Sequence, residues 1–157
     1  PSSSRREGSH AMAEVFVDAD GCPVKEEVYR VAARHRVPVT LVANSRMRVP
    51  PFEWISLVVV GSGFDAADDW IAAHAHRGDV VVTSDIPLAD RCLKKGAKAL
   101  TPKGNAFTLE SIGEAMAGRE FLAFLRETGT VTAGPAPFSP RDRSRFLHAL
   151  DEALRSA

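Results

Sequence analysis

No stretch of this chain is apolar for long enough to cross a bilayer, since no run reaches the roughly 18–20 residues that a spanning helix needs. Cysteine is scarce. Cys22 and Cys92 are the only two, too few to staple a small secreted scaffold or to supply a four-ligand zinc pattern. An excess of either charge is missing as well. Lys and Arg number 20 and Asp and Glu number 20, which argues against a wholly basic nucleic-acid coat. What is present suits one folded domain. The 157 residues are 45% hydrophobic, an ordinary globular composition that excludes wholesale disorder.

Residues 1–11 have no apolar h-region and no periodicity, and read as a disordered expression-tag leader ahead of Met12. Residues 12–157 are expected to form a single domain, in a cytoplasmic setting where both thiols stay reduced. From Met12 onward, short β-branched runs alternate with amphipathic stretches. The run Glu14–Val17 precedes a helix expected over about Pro23–His35, with Val24, Val28, Val31 and Ala32 on one face. The run Val37–Val42 ends at Asn44, and an irregular piece containing Pro50 and Pro51 leads to the run Leu57–Val60, closed by Gly61. A helix is expected over 65–76, with Ala66, Trp70 and Ala73 spaced for its buried face and Asp65 as its N-cap.

The fourth run, Val80–Thr83, precedes a helix over about Pro87–Lys95 with Gly96 at its C′ position, and Lys98–Leu100 makes a short fifth strand. Beyond Leu100 the pattern is helical only. Helices are expected over Phe107–Met116 (Thr108 as N-cap) and Arg119–Glu127, with Gly129 after the second. A Gly/Pro-rich loop over Gly129–Pro140 leads to a last helix capped by Ser139, with Pro140 at its first position. Val-rich strands separated by helices predict a three-layer α/β/α fold with a mainly parallel, roughly five-stranded sheet and added C-terminal helices.

In open α/β sheets, ligands bind outside the carboxyl ends of the strands. Those ends carry Asp18 and Asp20 after the first strand, Asn44 after the second, Asp65, Asp68 and Asp69 after the third, and Asp85 after the fourth. Thr83 closes the fourth strand, and Lys103 follows the fifth. Asp79 reads instead as a turn residue before a strand. Carboxylates gathered from several segments repel one another unless a cation or proton intervenes. An oxygen-only set favours hard ions, Mg²⁺ or Mn²⁺. Asp18, Asp20, Asp68, Asp69 and Asp85 are therefore candidate metal ligands, with Asp18, Asp20, Asp68 and Asp85 as candidate catalytic groups. Asn44, Thr83 and Lys103 are placed to orient water or phosphate.

The neutral total also hides a gradient: residues 61–90 carry a net charge of −5 and residues 91–110 a net of +4. An acidic cup beside a basic strip suits phosphodiester chemistry, although a run such as Arg91, Lys94 and Lys95 is equally a solvated helix face. Cys22, ahead of a helix, is a conceivable thiolate, but as a turn residue entering that helix it has no neighbouring His in sequence. His74 and His76 are two apart on a helix and make a poor chelating pair. Arg141, Arg143 and Arg145 could grip phosphates or simply line a helix start.

The segments VDADGCPVKEEV, LVAN, GFDAADDWIAAHAHRGDVVVTSDIPLA and GPAPFSPRDRSRF together resemble the YaiI/YqxD family of uncharacterised bacterial proteins, from about Glu14 to the last helix. The resemblance implies a relationship to PIN-like nuclease folds, in which Asp18 or Asp20 stands for the first-strand acid, Asp68 and Asp69 for the helix acids, and Asp85 for the acid after the fourth strand. It implies a metal-dependent, ribonuclease-like phosphodiesterase acting on single-stranded RNA or DNA. Two alternatives remain. One is a non-catalytic metal- or nucleic-acid-binding module. The other is a haloacid-dehalogenase-type phosphatase: VFVDADG resembles its first motif, and Thr83 or Ser84 and Lys94 could imitate the later ones, but no acid pair follows the lysine.

Overall fold

In the computed structural model, which describes residues 13–61, 66–113 and 138–156, alternation along one strand sets the layering. Strand β1 (Val15–Asp18) sends Val15 and Val17 into one apolar cluster and Phe16 into another on the opposite side, as a two-residue side-chain period requires. Helices α1 (Lys25–His35) and α4 (Pro140–Arg155) cover the first face with Val28, Val31, Phe146 and Leu150. Helices α2 (Ala66–His74) and α3 (Ile86–Lys94) cover the second with Ile71, Leu88 and Cys92. Full burial of a side chain such as Phe146 or Ile71 contributes about 1.5–3 kcal/mol.

The remaining strands are β2 (Val39–Ala43), β3 (Ile55–Val59), β4 (Val80–Val82) and β5 (Lys98–Leu100). The five run parallel in the order β3-β2-β1-β4-β5. The expected three-layer α/β architecture is therefore the observed one. From β1 the chain works outward to β3, then crosses back to β4 on the other side of β1. The order thus reverses beside β1, and the carboxyl ends of the strands at such a point are the usual seat of a ligand in such sheets. No helix among the described residues is long and apolar enough to cross a membrane.

Several boundaries move. Helix α1 begins at Lys25 rather than Pro23, because Pro23 and Val24 form a turn whose N-cap position, Val24, offers no side-chain acceptor. Strand β3 starts two residues earlier than the apolar run suggests, since Trp54 O accepts the Val39 amide and draws Ile55 into register with Val39. Helix α2 ends at His74, not residue 76, and buries Ala67, Ile71 and Ala72 instead of Ala66, Trp70 and Ala73. The helix is turned by about one residue, roughly 100°, which seats the purely aliphatic Ile71 against the sheet in place of Trp70. Trp70 still packs at the edge of the second core, edge-on to Phe16.

Other local expectations hold. Gly96 follows the C-cap of α3 with φ +92°. Thr108 Oγ1 accepts the Ser111 amide where the chain turns helical at 109–113. Ser139 and Asp142 form a reciprocal capping box at α4, with Pro140 beginning the helix. Asp79 is a fully buried structural residue whose carboxylate accepts the Glu14 amide at 3.0 Å and the His76 amide at 2.8 Å. The Asp65 cap, the helix over Arg119–Glu127, Gly129 and most of the Gly129–Pro140 loop lie outside the described residues.

Candidate functional site

Asp18 is the last residue of β1, and Thr83 is the first residue after β4. Because β1 and β4 are neighbours in parallel register, the two side chains meet at the strand ends. The fully buried Thr83 hydroxyl donates to Asp18 Oδ2 at 3.0 Å and accepts the Asp85 amide at 3.0 Å. The single donor of the hydroxyl is thereby used. Thr83 holds the site together from behind, and the substrate-orienting role read from sequence has no free donor left to serve it.

Asp20 lies in the turn after β1, where Gly21 takes φ +75°. Its Oδ2 accepts the Asn44 amide at 2.9 Å, which ties the end of β1 to the end of β2. Asp18, Asp20 and Asn44 line a cleft of about 170 Å³ together with Ala66, Ala67 and Asp68 from the first turn of α2. Sequence reading had not singled out Ala66 and Ala67 as its wall; the signal was their small size directly before Asp68.

Burial pushes the Asp18 carboxyl above its ordinary range. The Thr83 hydrogen bond opposes that shift, and the nearby charges of Asp85 and Asp20 add to it. A carboxylate made costly in this way gains from any cation that approaches it.

The cleft does not gather every expected acid. Asp69 lies one residue past Asp68, a turn of roughly 100° around the helix, and its carboxylate pairs with Arg91 at 2.8 Å outside the cleft. Asp85 is the N-cap of α3, its Oδ1 accepting the Leu88 amide at 2.8 Å. Asp85 therefore acts on Asp18 through its charge and is not a cleft wall. Among the described residues, no three His, Cys, Asp or Glu side chains converge tightly enough to hold a metal ion by themselves.

The basic strip is spent on the fold. Arg91 pairs with Asp69 and Lys94 with Asp90. Lys95 Nζ donates to the Ala72 and Ala73 carbonyls at the end of α2, and Lys98 Nζ to the Ala153 carbonyl and Ser156 hydroxyl at the end of α4. Lys103 is not among the cleft-lining residues; its charge helps hold Asp142 low, after the Ser139 backbone hydrogen bond that dominates there. Lys94 pairs with Asp90 and does not line the cleft, so the lysine of the phosphatase alternative does not stand beside the aspartates.

Three other sequence candidates are structural. Cys22 is buried, and burial pushes its thiol up. His74 stacks on Trp70 with ring centroids 3.7 Å apart. Arg143 donates to the Pro23 carbonyl at 2.8 Å and lies over the Phe138 ring.

Comparison with known proteins follows the same lines. The family model described as "Uncharacterized BCR, YaiI/YqxD family" matches residues 16–156. A UPF0178 protein of Rhodopseudomonas palustris is 59% identical over 145 residues, covering 92% of each chain. One from Bradyrhizobium diazoefficiens is 57% identical over 90% of this chain and 84% of its own. Another, from Rhodospirillum centenum, is 53% identical over 92% of this chain and 97% of its own. No solved structure matches the chain. With the family model spanning nearly the whole described fold, and relatives of more than half identity along most of its length, this chain belongs to the YaiI/YqxD family.

Proposed function

We propose that this protein is a Mg²⁺- or Mn²⁺-dependent phosphodiesterase, ribonuclease-like, acting on single-stranded RNA or DNA. One observation carries the reading: Asp18, Asp20 and Asp68 reach one cleft from two separate chain segments, outside the carboxyl ends of β1 and β2 in a parallel sheet. The donor set is oxygen only, which suits a hard cation. Mg²⁺ characteristically keeps several waters and binds through one or two carboxylates plus substrate phosphate, without an all-protein cage. An open cleft whose acids stop short of a closed triad fits that habit.

Asp18 and Asp20 would hold the ion, with Asp68 contributing from α2 and Asp85 adding negative charge behind. When bound, such an ion polarises a phosphoryl oxygen and acidifies water. The chain's own residues do the rest. Thr83 fixes the Asp18 carboxylate in one orientation, the Asn44 amide does the same for Asp20, and the exposed Asn44 side chain is available to a water or a phosphate oxygen.

The test is Mn²⁺-dependent cleavage of single-stranded RNA and DNA by the wild type and by Asp20→Asn. Activity confined to the wild type supports the reading, whereas equal activity in both proteins points to contamination and sinks it. The open donor set also favours a second reading, a module that binds metal without catalysis. That reading expects Mn²⁺ to raise the melting temperature of the wild type, the rise to vanish in Asp18→Asn, and no strand to be cut.

A further inference from the structure

We propose that the segment after β2 is a phosphate-gripping arm that leads a single strand of nucleic acid into the aspartate cleft, with Arg46 and Arg48 as its cations. The proposal rests on the phosphodiesterase reading for what the cleft does with the strand, but the arm has its own evidence.

The arm starts at the site. The Asn44 amide is fastened to Asp20 at 2.9 Å, and Asn44 lines the cleft. At no more than about 3.6 Å per residue, Arg46 lies within about 7 Å of Asn44 along the chain and Arg48 within about 14 Å. The residues between and after them turn inward. Met47 and Val49 are partly buried against the core on the α1 face, while Arg46 and Arg48 are exposed. This alternation of burial leaves both arginine side chains on the solvent side of the segment. Among the described residues neither has a hydrogen bond or an ion pair. That separates them from Arg91, Lys94, Lys95 and Lys98, whose charges are committed to the fold.

An aromatic platform lies farther along the same segment. Phe52, 54% exposed, stacks on Trp54 with centroids 5.5 Å apart and planes 16° from parallel. Trp54 O accepts the Val39 amide at the start of β2, whereas Asn44 follows the end of that strand. The platform is thus separated from the cleft by the length of β2, five residues at about 3.3 Å each. Cations followed by an exposed ring, along a path longer than one nucleotide, are the parts from which sequence-tolerant single-strand binding is built. The arm therefore acts on a polynucleotide and leaves a dinucleotide almost untouched.

The experiment measures binding with no metal present, so that it does not depend on cleavage. Fluorescence anisotropy with 12-nucleotide oligouridine and oligothymidine, in EDTA, compares the wild type with the Arg46→Gln/Arg48→Gln double variant, with Phe52→Ala, and with Arg77→Gln as a basic control in the turn before β4. Thermal melting verifies that each variant is folded. At low salt the double variant should bind at least tenfold more weakly than the wild type. Its log–log salt slope should be shallower by about 1.4, since each phosphate contact to a single strand contributes about 0.7. Phe52→Ala should weaken binding about fivefold or more, as the loss of one stacking partner does, and Arg77→Gln should bind as the wild type.

Wild-type affinity and salt slope in a folded double variant would overturn the proposal, as would failure of the wild type to bind either strand. The two readings separate cleanly. Arg-dependent binding without Mn²⁺-dependent cleavage supports the arm and ends the catalytic reading. Cleavage of long and dinucleotide substrates that is indifferent to Arg46 and Arg48 ends the arm alone.

Discussion

The hydroxyl of Thr83 donates to Asp18 Oδ2 at 3.0 Å, joining the ends of β1 and β4 across the point where the sheet reverses its order. The same oxygen accepts the Asp85 amide, so one buried atom orients one candidate ligand and fixes the backbone of the residue that caps α3.

Thr83→Val keeps the shape and removes both hydrogen bonds. It should lower stability by about 1–3 kcal/mol, the usual cost of leaving buried polar partners unmatched. It should also reduce Mn²⁺-dependent cleavage at least tenfold, of the order of 1.4 kcal/mol in barrier. Thr83→Ser retains both hydrogen bonds and should recover most of the activity. Melting curves and initial rates on the three proteins check this. Serine as impaired as valine would show that the hydroxyl alone does not suffice and that the methyl group is needed to hold it.

Gly104 and Gly78 both adopt positive φ, +89° and +90°, but only Gly104 is crowded: an added Cβ would sit 2.7 Å from the Arg145 carbonyl carbon, whereas nothing lies within 4 Å of one at Gly78. Gly78→Ala should therefore cost only the left-handed penalty of about 1–2 kcal/mol. Gly104→Ala should cost clearly more, because the turn after β5 must move away from α4. Denaturant titration of the two variants compares them, and equal losses would mean that the contact between this turn and α4 is soft.

Asp151 ties α4 to α1 through His35 Nε2 at 2.7 Å and also pairs with Arg34 and Arg155. The His35 hydrogen bond, chiefly, holds its carboxyl below the ordinary value of 3.8. The folded form thus prefers the carboxylate, and the unfolded chain takes up its proton first as pH falls. The resulting stability is complete above pH 3.8 and is lost as pH falls below it toward the folded value. Wild type should melt above Asp151→Asn at pH 6, and the gap should close as acid is added from pH 4.5 to 2.5. A gap that does not change with pH would assign the effect to packing.

Neither thiol should react in the folded protein. Cys22 and Cys92 are both buried, and burial, the leading cause, pushes Cys92 up to about 11. A colorimetric thiol reagent at pH 8 should label both cysteines in denaturant and neither without it. Prompt labelling of Cys22 in native buffer would reopen the thiolate reading.

Much of this was legible in the sequence because it is written locally. The capping box at Ser139 and Asp142, the Gly96 stop and the aspartates at strand ends depend on neighbours within a few residues. The strand-end rule alone picked out Asp18, Asp20 and Asn44, three of the cleft's walls. What could not be read depends on rotation or on distance. A turn of one residue in α2 decides that Asp68, and not Asp69, lines the cleft, and the rotation is set by how Ile71 seats against the sheet. The net charge of 91–110 was counted correctly, but its meaning was not, because Lys95 finds its carbonyls at 72 and 73 and Lys98 its own at 153. A segment's charge does not reveal which partners, 22 to 58 residues away, will absorb it.

The α1 face of the sheet is completed by residues from far along the chain: Phe146, Leu150 and Leu154 share one core with Val15 and Val17. On a ribosome making about 5–20 residues per second, roughly 6–26 s separate the synthesis of Val17 from that of Phe146. Until α4 emerges, α1 alone covers that side, and the part that Phe146, Leu150 and Leu154 will seal stays open to the crowded cell. Substitutions in α4 that slow its docking will therefore register first as lower yield and aggregation during synthesis, with the aspartate cleft itself unharmed in the molecules that escape.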